Sequence, residues 1–137
     1  MQPIEIAGKC LCGAVSLRTS LVSKSVGACH CDICRTWGGG PLLALDCGNE
    51  CSFDGIENVT LYSTTHWAER GFCSQCGTHL FIRVKQTNHY ILPAGLVDVD
   101  KLVVFDHQIF IDKKPEYYVF ANNTANQTSD KYFADFS

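Results

Sequence analysis

Apolar and polar residues alternate in short runs along this chain, and Gly, Asn, Asp or Pro closes each run before a helical period can develop. Ala14-Val-Ser-Leu-Arg18 predicts one strand, and Thr78-His-Leu-Phe-Ile-Arg-Val84 predicts another in the same setting, just after a glycine. His89-Tyr-Ile-Leu-Pro-Ala94 and Leu102-Val-Val-Phe105 are β-branched and aromatic, as strands prefer. In His107-Gln-Ile-Phe-Ile-Asp112 the alternate positions His107, Ile109 and Ile111 share one face. The expected fold class is therefore all-β. Val97-Asp-Val-Asp-Lys101 is long enough for one helical turn at most, capped by Asp98 or Asp100. From Ala121 the chain is mostly Asn, Thr, Gln and Ser until Tyr132-Phe-Ala-Asp-Phe136, which predicts a mobile polar tail with an aromatic anchor.

The 137 residues make one domain of ordinary size, spanning 1–137. Charged residues or His interrupt every apolar run well before the ~20 residues that a membrane crossing needs. A formal net charge of −3 lacks the basic stripe of nucleic-acid binders, so neither nucleic acid nor membrane is an expected partner. Exposed sheet edges leave a homodimer open without specifying one.

Nine cysteines change the picture. Cys10-Leu-Cys12, Cys29-His-Cys31-Asp-Ile-Cys34 and Cys73-Ser-Gln-Cys76 hold seven of them in three tight groups. A disulfide framework is the competing explanation, but the count is odd and the N-terminus has neither a basic start nor an apolar run of signal-peptide type. Sulfurs one or two residues apart also converge on an ion more easily than they form an unstrained disulfide. Metal binding in a reducing, cytoplasmic setting is the expectation. Cys10 and Cys12 precede Gly13, Cys73 and Cys76 precede Gly77, and an apolar strand follows each pair. Glycine tolerates the positive φ of a sharp metal knuckle, so these four cysteines fit one structural zinc, with His79 or Cys47 as alternative partners for either pair.

Cys29, Cys31 and Cys34 supply three ligands to a second ion. In an extended segment Cys29 and Cys31 face one way, and a turn after Cys31 brings Cys34 round to them. If Cys47, Cys51, His30 or His66 completes that set, the site is a second inert one. If the fourth position stays open, zinc there can hold a substrate thiol as thiolate or polarise a carbonyl. Asp46-Cys-Gly-Asn-Glu-Cys51 reads as a loop carrying two ordinary thiols.

Gly8-x-Cys10-x-Cys12-Gly13, Cys29-His30-Cys31-x-x-Cys34-Arg35, Phe72-Cys73-x-x-Cys76-Gly77-Thr78 and the late Asp98 and His107-Ile109-Phe110 stretch together resemble the glutathione-dependent formaldehyde-activating enzyme family. Centromere protein V shares the motifs, so the family holds proteins with different jobs. The resemblance implies a β-tent, two packed, mainly antiparallel sheets with zinc knuckles. It also implies condensation of glutathione with formaldehyde or a related small aldehyde, formally a carbon–sulfur lyase reaction in reverse. Carried over by position, Cys10, Cys12, Cys73 and Cys76 would hold a structural zinc and Cys29, Cys31 and Cys34 a catalytic one. The alternative is a non-catalytic zinc module that binds glutathione or a protein.

Glutathione carries two carboxylates, and guanidinium binds carboxylate through two parallel hydrogen bonds. Arg35, next to the second cysteine group, and Arg70, just before the last knuckle, are the candidate anchors. Trp37 and Trp67 are candidates for a groove wall, Gly38-Gly-Gly40-Pro41 for a turn beside the metal, and His30, His66 and His79 for moving protons.

Overall fold

The computed structural model describes residues 4–136. Eleven strands form two sheets, as the alternating pattern predicts. The small sheet is antiparallel, with β2 (Ser16–Leu21) between β1 (Ile4–Lys9) and β5 (Cys51–Asp54). The large sheet has the order β11-β10-β3-β4-β9-β8-β7-β6, formed by β3 (Ser25–Cys29), β4 (Leu42–Asp46), β6 (Val59–Ser63), β7 (Ala68–Cys73), β8 (His79–Val84), β9 (His89–Pro93), β10 (Val104–Ile109) and β11 (Ala125–Gln127). Only β10 pairs in parallel, with β3 on one side and β11 on the other. No helix among the described residues is long and apolar enough to cross a membrane.

The two sheets close on a shared core. Ile6, Leu17 and Leu21 of the small sheet meet Val26, Leu45, Leu80 and Leu92 of the large one, all buried. Phe53, Phe81 and Tyr90 complete it, with ring centroids 5.2–6.2 Å apart in tilted and edge-on arrangements. Because side chains alternate across a strand, Val26 and Leu45 facing this core send Gly27, Cys29 and Ala44 to the opposite face of the large sheet. That second face carries the chemistry.

Three local differences from the sequence expectations have physical causes. The stretches 102–105 and 107–112 contribute to one strand rather than two, because β10 (Val104–Ile109) continues through an irregularity between Phe105 and His107, and a 3-10 turn, Ile111–Lys113, follows it. The single turn expected at Val97–Lys101 lies instead at Ala94–Leu96, where Pro93 at φ −59 leads into it. Two helices interrupt the β pattern: α1 (Asp32–Gly38) and α2 (Ser129–Phe136). The segment expected as a mobile polar tail thus carries β11 and α2. Its aromatic anchor takes the form of Tyr132 and Phe133 packed on Phe110, at 4.9 and 5.5 Å between centroids.

Candidate active site and metal centres

Each knuckle of the first cluster is a turn closed by its own backbone: Gly13 N–H donates to Cys10 O and Gly77 N–H to Cys73 O. Both glycines sit in the left-handed region, at φ 80 and 79, which a side chain rarely adopts. The turns bring the ligand atoms of Cys10, Cys12, Cys73 and Cys76 within 4.8 Å of one another. Cys10 Sγ lies 3.6 Å from Cys12 Sγ, and Cys12 Sγ lies 3.8 Å from Cys73 Sγ. Four sulfurs placed tetrahedrally at about 2.3 Å from a zinc ion stand about 3.8 Å apart, so this set fits that ion. A disulfide needs about 2.05 Å. Backbone N–H groups of Val15 and Gln75 already point at Cys10 and Cys73, as they do around thiolate ligands. The Thr78 hydroxyl, 3.1 Å from Cys76, holds that thiol down at about 5.

The second cluster grows from the end of β3. Cys29 is the last residue of that strand and Cys31 is the N-cap of α1, with extended φ −65 and ψ 158. Its Sγ accepts from Cys34 N–H at 3.4 Å, so one sulfur caps the helix while the helix returns Cys34 to the other two. Gly39, at φ 87, stops α1 after seven residues by donating to Arg35 O. The turn expected at Gly38–Pro41 is therefore a helix terminator. The sulfurs of Cys29, Cys31 and Cys34 lie within 4.8 Å of one another, and no fourth His, Cys, Asp or Glu joins them among the described residues. Such crowded thiols share their protons unequally. Cys31 is held well below the ordinary thiol range by hydrogen bonds from Cys29 and Cys34, while Cys31 and Cys34 push Cys29 far above it. A divalent cation resolves that conflict, so the donor set fits zinc.

Arg70 lies against this cluster, only 5% exposed, with Nη2 3.3 Å from Cys34 Sγ. Its guanidinium sits 4.5 Å over the Trp37 ring, and Trp37 stacks on His79 at 3.8 Å and 10°. Arg70 Nε and Nη1 have no hydrogen-bond partner, the sole such buried side-chain N/O atoms among the described residues. Two orphaned donors cost about 1–3 kcal/mol each, which marks the place of an absent acceptor.

The other expected residues go elsewhere. Arg35 donates from Nε to His30 O at 2.9 Å and from Nη2 to the exposed Asp32 Oδ1 at 2.6 Å. His30 is fully buried, with Nδ1 2.7 Å from the Tyr118 hydroxyl and Nε2 2.7 Å from Gln108 Oε1. Both ring nitrogens are occupied, and the residue ties the 114–124 segment to β3 instead of binding metal. His66 is exposed and outside both clusters. Cys47 is fully buried and Cys51 half-buried; burial raises them to about 12 and 11, and neither joins the three sulfurs.

Sequence reasoning overlooked a groove of about 790 Å³ on the second face of the large sheet. Cys29 and Gly27 form part of its floor, and His107, His89, Asp46 and Tyr132 line it. His89 pairs with Asp46. His107 Nδ1 lies 2.7 Å from Asp106 Oδ1, and Ser25 Oγ donates to Asp106 Oδ2 at 2.7 Å. Tyr132 reaches the groove from α2; burial, then the nearby Cys29, Cys31 and Cys34, raise its hydroxyl to about 12. The signal available in the sequence was His107 itself, on the predicted face of Ile109.

Two sheets joined around a four-thiol knuckle pair, with a three-thiol cluster beside a buried arginine, define a class of β proteins built on cysteine clusters that could hold metal ions. The chain belongs to the glutathione-dependent formaldehyde-activating enzyme family, whose model matches residues 5–113. It is 38% identical over 128 residues to an uncharacterized lyase of Schizosaccharomyces pombe, covering 93% of each chain. It is 31% identical over 105 residues to a protein of Halomonas elongata named "Putative glutathione-dependent formaldehyde-activating enzyme", covering 69% of this chain and 67% of that one. A crystal structure of a Rhodobacter sphaeroides protein superposes with a TM-score of 0.59 at 26% identity, covering 67% of this chain and 87% of the other. The 114–124 segment, β11 and α2 with Tyr132 lie beyond the residues that the family model matches.

Proposed function

We propose that this protein is a carbon–sulfur lyase of the formaldehyde-activating type, reversibly adding glutathione thiolate to formaldehyde or a related small aldehyde in the cytoplasm. One observation carries the reading: three converging sulfurs without a fourth side-chain ligand among the described residues, beside a buried arginine with two unpaired donors. Cys10, Cys12, Cys73 and Cys76 would hold a structural zinc and Cys29, Cys31 and Cys34 a catalytic one. Zinc bound there supplies a Lewis acid that favours thiolate over thiol near neutral pH. The chain's own residues do the rest. Arg70 donates from Nε–H or Nη1–H to a carboxylate of the incoming thiol, while Nη2 stays on Cys34 and Trp37 keeps the guanidinium in place. Arg35, bonded to His30 and Asp32, orients α1 and leaves Arg70 as the principal anchor.

Exchange NMR on glutathione and formaldehyde tests the reading, because their addition also proceeds unaided and the protein must exceed that background. An exchange rate indistinguishable from buffer would reduce the protein to a zinc module that binds a thiol or a partner. Arg70→Leu separates binding from folding. Removing two orphaned donors offsets the lost stacking and the lost contact with Cys34, so thermal stability should fall by no more than about 1 kcal/mol. Glutathione affinity, measured by calorimetry, should fall at least about tenfold, the equivalent of one charge-assisted hydrogen bond. Unaltered affinity would remove Arg70 from the site.

A further inference from the structure

The groove beside Cys29 contains a second set of groups that the thiol cluster does not use. Asp106 falls where the pairing of β10 with β3 shifts register, between Phe105 and His107. Irregularities of this kind re-aim side chains, and they are frequent beside active sites. Here the result is an ordered relay: Ser25 Oγ holds one oxygen of Asp106, and the other oxygen lies 2.7 Å from His107 Nδ1. That contact makes Nδ1 the protonated nitrogen and leaves Nε2 to exchange protons with a ligand. The ring lies across Gly27, where an added Cβ would stand 2.1 Å from Nε2. His107 pairs with Gly27 and Ile109 with Cys29, so the imidazole and the first sulfur of the second cluster occupy neighbouring positions on one face of the sheet. Two residues along a strand correspond to about 6.6 Å, a gap that a substrate thiolate held at that cluster and its one-carbon adduct, with or without one water, spans.

We propose that His107, oriented by Asp106, is the proton-transfer residue of the thiol–aldehyde reaction. The inference rests on the lyase reading above. As the glutathione sulfur attacks, the S–C bond forms and the C=O π bond opens onto oxygen. His107 Nε2 takes the proton released by the thiol and returns it to that oxygen, giving the hydroxymethyl thioether with no net change of proton or electron. In the reverse direction Nε2 removes the hydroxyl proton, the C=O bond re-forms as the S–C electron pair leaves on sulfur, and the proton returns to that sulfur. Gly27 contributes by being side-chain-free, since the imidazole needs its space.

His107→Asn is the discriminating variant, because the Asn amide can still donate to Asp106 from the place of Nδ1 while Nε2 disappears. Exchange NMR, native mass spectrometry and calorimetry with glutathione are applied to the wild type and to this variant. The protein-dependent exchange rate should fall about a hundredfold, the lower end of acid–base contributions, with bound zinc and glutathione affinity unchanged. Imidazole added to His107→Ala should restore part of the rate, which a purely structural role would not allow. Gly27→Ala should reduce the rate while retaining both zinc ions. A His107→Asn rate within twofold of wild type overturns the proposal, as does a loss of zinc or glutathione binding in step with the rate. A wild type no faster than buffer overturns the lyase reading and this inference together, and it is distinguishable because it needs no variant.

Discussion

Cys76→Ser should unfold the protein. Cys12 and Cys73 are 61 positions apart and their sulfurs 3.8 Å apart, so one ion in the first cluster would pin the β1–β2 knuckle of the small sheet to the β7–β8 knuckle of the large one. Apparent binding energies of structural zinc run to about 10–16 kcal/mol and appear as folding energy, whereas a whole domain is stable by only about 5–15 kcal/mol. A serine oxygen is a poor substitute for thiolate, and it would leave Cys10, Cys12 and Cys73 crowded together without a complete tetrahedron. The core does not compensate. Its residues come from both sheets, so freeing one knuckle loosens the packing of Leu17 and Leu21 against Leu45, Leu80 and Leu92. Circular dichroism should show loss of the cooperative melt, and a chelator should have the same effect on the wild type. A soluble Cys76→Ser protein that melts like the wild type would show that this cluster does not hold the fold.

The features legible in the sequence were those whose cause is local. Alternation at Thr78–Val84 and His89–Ala94 marked β8 and β9 because one face of each is buried. Cysteine spacing identified both clusters because the ligands of each knuckle are neighbours in the chain, and the glycines after them showed where φ turns positive. The helices were not legible. The seven residues of α1 are fixed by the Cys31 cap at one end and Gly39 at the other, too short for a period to register. Helix α2 is written in polar residues, and only its Tyr132 and Phe133 declare a packed face.

Long-range register chose between residues that looked equivalent in the sequence. Arg35 is adjacent to the thiol cluster and yet turned to Asp32, whereas Arg70, 36 positions from Cys34, reaches its sulfur. Likewise His30, between two cysteines of the second cluster, is spent on Tyr118 and Gln108, while His107 reaches the groove through a parallel pairing of strands about eighty residues apart. Nothing in local composition encodes that pairing.

Cys31→Ser should have the opposite profile to Cys76→Ser: a folded protein that has lost its chemistry. The difference lies in what Cys31 does for the backbone. Its sulfur caps α1 by accepting from Cys34 N–H, and serine is among the best N-caps, so the hydroxyl takes over that bond and the helix start survives. The second cluster then retains two thiols, too few to hold zinc firmly. Neither sheet depends on it, because Cys29 and Cys34 lie at the margin of the second face while the shared core is sealed by the first cluster and the aliphatic residues. Native mass spectra of the reduced, zinc-replete variant should therefore show one zinc where the wild type shows two, with no glutathione adduct. The melting temperature should drop by no more than a few degrees, the equivalent of about 1 kcal/mol. Exchange between formaldehyde and its glutathione adduct should return to the uncatalysed rate, since the loss of one ligand removes thiolate activation while leaving Arg70 and His107 in place. A variant that keeps two zinc ions, or that catalyses at the wild-type rate with one, would show that the three-thiol cluster is not the reactive centre.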